Sequence, residues 1–366
     1  MQNTSLVVAI LALCITLPAS ASQRPGPEEN LVLNVAEGVA LSAKIQLPTT
    51  APRAAFVILP GSGNVGTDGD VSSPFVGFGY KGQPAKLSDQ LSATLAETGS
   101  ASLRYAKRGV ENVAELAHQT APYLVADAHV ALQALKQRFP GIPVGFVGFS
   151  EGALVATMVA AEEPVDFLFL LAPPSRSMDD MLAYQFLQWP VDLLRRKLDA
   201  NGDGELNASE LATLDPSHQL PLLGLLWGAD AAKWENLDVN QSCSLSFDAE
   251  IAPTYAKFLG TAMSVIRSPS FAGWYTSFRD LPAFSTFASR ITAPVYMYQG
   301  MEDAQVNWSW AVSSQQSFAG KTSLRFFEGL GHAFAPMEGA IGEVKTSGPF
   351  SSTLLEALAQ DVKSAL

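Results

Sequence analysis

The run Gly148-Phe149-Ser150-Glu151-Gly152 sets a serine between two glycines in G-x-S-x-G spacing. A serine hydroxyl is a poor nucleophile until a base takes its proton. In a chain of 366 residues the bare pattern arises by chance on the order of one time in ten, so its setting must carry the argument. "VGFV" before it reads as a buried strand, and "ALVATMVAA" after it begins a helix at once. A sharp strand-to-helix turn lifts the Oγ clear of the sheet, and the glycines allow that turn without side-chain clashes. The helix N-terminus beneath it favours developing negative charge.

A base and an orienting acid are then needed. The chain has four histidines. His129 lies in an amphipathic helix and reads as structural. His118 and His218 fall in polar, loop-like segments with no strand before them. His332 follows "SLRFFEGLG", just past the last strand, at the sheet edge where Ser150 also sits. It is the expected base. "YQGMEDAQV" offers Asp303 as the acid that orients the imidazole and stabilises its cation. Glu302 is the fallback; one more residue carries Asp303 clear of the strand end. Two N–H donors must face the oxyanion. They are expected at Glu151, next to the nucleophile, and at Ser62 in "PGSG". The composition of "GSGNVGTDGD" would by itself equally suit a surface loop.

These side chains lie far apart in sequence, so a scaffold must gather them. "AAFVILP", "SASLRYAKRG", "VGFVGFS" and "DFLFLLAPP" read as strands, with helical segments between them. That alternation predicts an α/β protein with a mostly parallel sheet and helices on both faces. It stops at Pro173–Pro174 and resumes at Ala293. Residues 22–174 and 286–366 are therefore expected to form the two parts of the core, and 175–285 an insertion. The insertion is aromatic-rich, with Trp189, Trp227, Trp234, Trp274, Tyr275 and Phe278. Most of these are expected to be its core, some to line an apolar pocket.

Inside the insertion lies "DANGDGELNASE". Asp199, Asn201 and Asp203 hold positions 1, 3 and 5 of a twelve-residue loop. Gly204 supplies the turn at position 6, Glu205 a backbone carbonyl at 7, and Asn207 stands at 9. Glu210 at 12 can bind with both oxygens. The pattern predicts a bound Ca²⁺ that braces the insertion without entering the chemistry. A second loop begins at Asp238, but Cys243 replaces the glycine and Glu250 comes one residue late. It is expected to be a structural partner holding little or no calcium, with Leu245 facing Leu206.

Hydrophobic residues make up 48% and charged ones 16%, a globular composition. A formal net charge of −12 repels phosphate backbones and argues against nucleic acid as a partner. Residues 1–21, an apolar run followed by "ASA", read as a secretory signal peptide cleaved after Ala21, too short for an ordinary span. A secreted or periplasmic location is expected. Cys243 is then the one cysteine left, so no internal disulfide forms.

"LPGSG", "LRYAKRGV", "GFSEG", "LAPP", "GMEDAQV" and "GLGHAF" together resemble the α/β-hydrolase superfamily. Similarity is greatest to its bacterial carboxylesterases of the dienelactone-hydrolase and prolyl-oligopeptidase-like branch. The resemblance implies an α/β-hydrolase fold with a helical cap, and acyl-enzyme hydrolysis by Ser150, Asp303 and His332. Two departures stand out. Pro60 replaces a histidine common before the oxyanion glycine, and Ala106 replaces an aspartate in "RYAKRG". Lys107 and Arg108 read as structural, with a substrate-carboxylate role as the alternative. The expected substrate is a neutral, partly apolar ester, because Glu151 beside the nucleophile should repel anions. A serine peptidase or acyltransferase on the same fold, and a non-catalytic calcium binder, are the competing readings.

Overall fold

The computed structural model describes residues 26–70, 86–211, 237–336 and 349–366. The expected leader, His218, Trp227 and Trp234 lie outside the described residues. In chain order the strands are β1 (Glu28–Ala36), β2 (Val39–Gln46), β3 (Ala54–Leu59), β4 (Ser100–Tyr105), β5 (Val144–Phe149) and β6 (Phe167–Leu171), then β7 (Glu205–Asn207), β8 (Ser244–Ser246), β9 (Val295–Gly300) and β10 (Thr322–Phe327). Eight of them form one sheet in the order β1-β2-β4-β3-β5-β6-β9-β10. β2 runs antiparallel to both neighbours, and every pairing from β4 to β10 is parallel.

The apolar runs explain the layering. β3 is buried along its whole length. Ala55, Val57 and Leu59 join the core on one face of the sheet, and Ala54, Phe56 and Ile58 the core on the other. That is the period-two alternation of a strand covered on both sides. The first face carries α2 (Ala121–Arg138) and α3 (Glu151–Glu162); the second carries α1 (Leu87–Glu97) and the closing helix Ser352–Ala365. In α2 the buried Leu124, Ala128, Ala131, Leu132 and Leu135 recur at helical spacing. Each large side chain buried this way contributes about 1.5–3 kcal/mol of transfer free energy.

Between β6 and β9 the described chain is mainly helical, apart from the short strands β7 and β8. α4 (Met178–Ala183) starts on a Ser177 cap and runs through a π turn at Tyr184–Gln188 into α5 (Trp189–Leu198). Pro190 in the first turn of α5 has no N–H for an i−4 carbonyl, which accounts for the wider turn before it. Tyr184, Trp189, Leu194, Leu206, Leu245 and Tyr255 build a core separate from the two around the sheet. Further on, Phe278 and Phe284 sink into the core of the α2/α3 face. The end of the inserted segment is thus packed onto the sheet layer. Trp189 and Phe278 are buried in these cores, and Tyr275 is buried in a small separate cluster with Leu182 and Ile266.

β7 and β8 pair antiparallel with Leu206 opposite Leu245, and both side chains are buried. The contact joins the two acidic loops in the way their shared eighth position predicts.

Candidate active site

Ser150 sits at the β5–α3 turn with φ 53° and ψ −122°, a costly conformation for a residue with a Cβ. Its N–H donates to the Leu171 carbonyl at 2.8 Å, and its own carbonyl accepts from Ala153 N–H at 2.8 Å. α3 lies so close to β3 that a Cβ on Gly152 would stand 2.2 Å from the Leu59 carbonyl oxygen. The glycine is therefore required by close approach.

His332 follows β10 on a loop cinched by a bridge between Leu330 and Pro336. Glu302 N–H donates to Leu330 O at 3.0 Å, tying this loop to the one after β9. A Cβ on Gly300 would stand 2.4 Å from the same Leu330 oxygen, so only glycine lets the two loops meet. His332 Nε2 lies 2.9 Å from Ser150 Oγ, and Nδ1 lies 2.9 and 3.0 Å from the two Asp303 carboxylate oxygens. The Phe149 ring, 5.1 Å away, packs against the imidazole. All three residues are buried, Asp303 completely.

Asp303 is held from several sides. Its Oδ1 accepts from the Gln305 and Val306 N–H groups at 2.7 and 2.9 Å, and its Oδ2 from Gln299 Nε2 at 2.8 Å. Its backbone carbonyl accepts from the Tyr184 hydroxyl at 2.8 Å. Burial, and then the Asp303 charge, push the Tyr184 hydroxyl far above its ordinary pKa, so it remains a donor. Gln185 Nε2 donates to Gln305 O at 3.1 Å, and Arg196 pairs with Glu302 at 3.3 Å. Glu302 thus faces an arginine of α5, and Asp303 alone faces His332. The tether through Tyr184, Gln185 and Arg196 had no motif to announce it. Gln299 had a signal, as a buried amide in the otherwise apolar β9.

Glu151 opens α3, where no preceding helical turn offers its N–H a partner. Ser62 follows Gly61, on which a Cβ would stand 3.4 Å from the Ser150 Cβ. The Gly61–Ser62 peptide therefore begins beside the nucleophile. The Glu151 side chain accepts from Lys107 Nζ at 2.5 Å and from Trp274 Nε1 at 2.7 Å. This corrects the expected repulsion of anions, since the carboxylate is buried and neutralised by Lys107. Arg108 is bound by Asp127 and Glu115. Both cations are engaged within the fold.

The loop from Asp199 is closed by its own backbone. Asp199 Oδ1 and Oδ2 accept from Asp203 and Gly204 N–H, and Asp203 Oδ1 from Glu205 N–H. Asn201 Oδ1 accepts from Asp203 N–H. Glu210 accepts from Ala200 and Asn207 N–H, one on each oxygen. The donors are hard oxygens of the kind calcium takes. Among the described residues, however, no group of three or more His, Cys, Asp or Glu side chains is assembled to hold a metal ion.

The second loop is closed by its own backbone in the same way. Asp238 accepts from Ser242 and Cys243 N–H, as Asp199 does from Asp203 and Gly204. Cys243 takes a φ of 65° beside 80° for Gly204. Glu250 accepts from Val239 and Ser246 N–H, matching Glu210 bond for bond. A π turn across Phe247–Ile251 absorbs the additional residue.

No family model matches the chain. Over 147 residues it is 28% identical to the esterase EstD of Thermotoga maritima, a stretch covering 40% of this chain and 33% of that esterase. The chain thus spans about a third of the length of the curated relative it matches. Among solved structures, a Staphylococcus aureus protein of unknown function superposes with TM-score 0.50 at 11% identity, over 93% of this chain and 98% of that one. The dienelactone hydrolase of Anabaena variabilis gives TM-score 0.48 at 13% identity, over 93% and 97%. Est1E from Butyrivibrio proteoclasticus gives 0.45 at 14%, over 92% and 96%. The strand order β1-β2-β4-β3-β5-β6-β9-β10, with β2 antiparallel, the pairings from β4 onward parallel and helices on both faces, is that of the α/β-hydrolase fold.

Proposed function

We propose that this protein is a carboxylic-ester hydrolase that works through an acyl-enzyme on Ser150. The observation that supports this most is the unbroken line from Ser150 Oγ through His332 to Asp303, at 2.9 Å on both sides of the imidazole. The partial likeness to an esterase supports the choice of ester. Ser150 Oγ attacks the ester carbonyl carbon while His332 Nε2 takes its proton. Asp303 holds the Nδ1–H and stabilises the imidazolium. The Glu151 and Ser62 N–H groups receive the charge that develops on the carbonyl oxygen. Collapse breaks the C–O bond, and the leaving alcohol takes the proton from Nε2. Water then attacks the acyl group while His332 removes its proton, and Ser150 leaves with that proton restored.

The substrate is a small-molecule, partly apolar ester, and the protein is exported to the periplasm or beyond. Calcium belongs to the same proposal: Asp199, Asn201, Asp203, the Glu205 carbonyl and Glu210 would hold it. Bound there, the ion supplies only charge that draws the loop oxygens together. Among the described residues no helix is long and apolar enough to cross a membrane. A fluorophosphonate probe tests the central claim. The expected result is one label per chain, lost in Ser150→Ala, with turnover of p-nitrophenyl esters. An unlabelled, inactive wild type would sink it.

A further inference from the structure

The peptide bond from Gly61 to Ser62 carries, on one rigid plane, a carbonyl oxygen and the Ser62 N–H. The N–H is one of the two donors proposed for the oxyanion. The carbonyl is held from behind: Lys107 Nζ donates to Gly61 O at 3.2 Å. The same ammonium pairs with Glu151 Oε1 at 2.5 Å, and Glu151 supplies the other proposed donor through its backbone N–H. Lys107 is itself fixed in place. It lies two residues past the end of β4, its N–H donates to Val65 O at 2.9 Å, and its side chain is 4% exposed. The second carboxylate oxygen of Glu151 is taken by Trp274 Nε1.

We propose that Lys107 is a positioning residue for the oxyanion site, joining its two donors through one buried cation. This rests on the reading of Ser150 as the nucleophile. The physical argument has two parts. An ammonium on the Gly61 oxygen fixes the tilt of the 61–62 plane, and so the direction of the Ser62 N–H. It also polarises that amide, because hydrogen bonds in series strengthen one another at low dielectric. Glu151 keeps the cation paired, and a buried lysine without that partner would be strongly destabilising. The pair therefore places positive charge behind the oxyanion donors while remaining neutral overall. Neither effect touches the acyl or alcohol portions of a substrate, so both act on the transition state more than on ground-state binding.

The test is Lys107→Met, with steady-state kinetics on p-nitrophenyl butyrate and binding of a boronic acid that mimics the tetrahedral adduct. Loss of a whole oxyanion donor costs on the order of 100- to 1000-fold in kcat. Loss of the group that orients one should cost about 10- to 100-fold, with KM within about twofold. Boronate affinity should fall by a similar factor. Because Lys107→Met leaves Glu151 buried without its cation, the double variant Lys107→Gln with Glu151→Gln is made beside it. It removes both charges at similar volume and should show the same loss in kcat and in boronate affinity. A folded single or double variant with wild-type kcat and wild-type boronate affinity would overturn the assignment. If wild type is labelled at Ser150 and these variants stay fully active, only the assignment fails. An unlabelled, inactive wild type removes the site reading, and this assignment with it.

Discussion

The Tyr184 hydroxyl donates to the backbone carbonyl of Asp303 at 2.8 Å, linking the inserted helices to the carboxylate that orients His332. The bond comes from a π turn, and Gln185 of that turn and Arg196 of α5 grip neighbouring residues of the same loop. The position of the acid is thus shared between the sheet edge and the insertion.

Tyr184→Phe should separate that support from the rest. The variant loses one buried hydrogen bond, about 0.5–1.5 kcal/mol. It leaves the Asp303 carbonyl unpaired and its loop freer to shift. We expect a few degrees off the melting temperature and about a 3- to 10-fold drop in kcat with KM little changed. Equal kcat at reduced stability would limit Tyr184 to a structural role.

Asp303 and Glu302 make a direct contrast. Asp303→Asn should lower kcat by about 10³- to 10⁴-fold, because the amide favours the wrong imidazole tautomer. Glu302→Gln affects only a partly exposed ion pair with Arg196 and should leave kcat within about threefold. The opposite ranking would exchange the roles of the two carboxylates.

Calcium should raise the melting temperature, and a chelator should lower it. A ligand at 100 times its Kd stabilises by about 2.7 kcal/mol. Asp199→Ala and Glu210→Gln should abolish the response. Identical melts with calcium and with chelator would remove the proposed site.

Alkaline pH should destabilise the protein through its buried tyrosines. Burial raises the pKa of Tyr105, Tyr184, Tyr255 and Tyr298. In the unfolded chain these phenols ionise near pH 10. Their folded values are higher, so the stability they confer is complete below about pH 10 and lost as pH rises beyond it. Among the described residues the Tyr255 hydroxyl has no hydrogen-bond partner. Tyr255→Phe should therefore be neutral or stabilising at pH 7 and should flatten the loss above pH 10. Chemical denaturation from pH 7 to 11 measures both effects.

Much of this was legible in the sequence, for reasons that differ by element. Ser150 follows the buried β5 and His332 the edge strand β10, and a parallel sheet brings the ends of such strands to one edge. The β3 run had to be covered on both faces because all of it is apolar. Leu206 and Leu245 share a loop position and meet. Side-chain partners were another matter. Lys107 and Glu151 lie 44 residues apart, and Glu151 and Trp274 lie 123 apart. No periodicity records such pairs, so Glu151 read as an open negative charge until packing supplied its cation.

The π turn at 247–251 has a consequence for reading such loops by counting. In a plain α-helix one inserted residue rotates everything after it by about 100°. Here the widened turn takes up that phase error, and Glu250 still ties the two ends of its loop together. Residue spacing can therefore drift by one while the three-dimensional role is preserved, and a pattern search that insists on a fixed interval will pass over the working carboxylate.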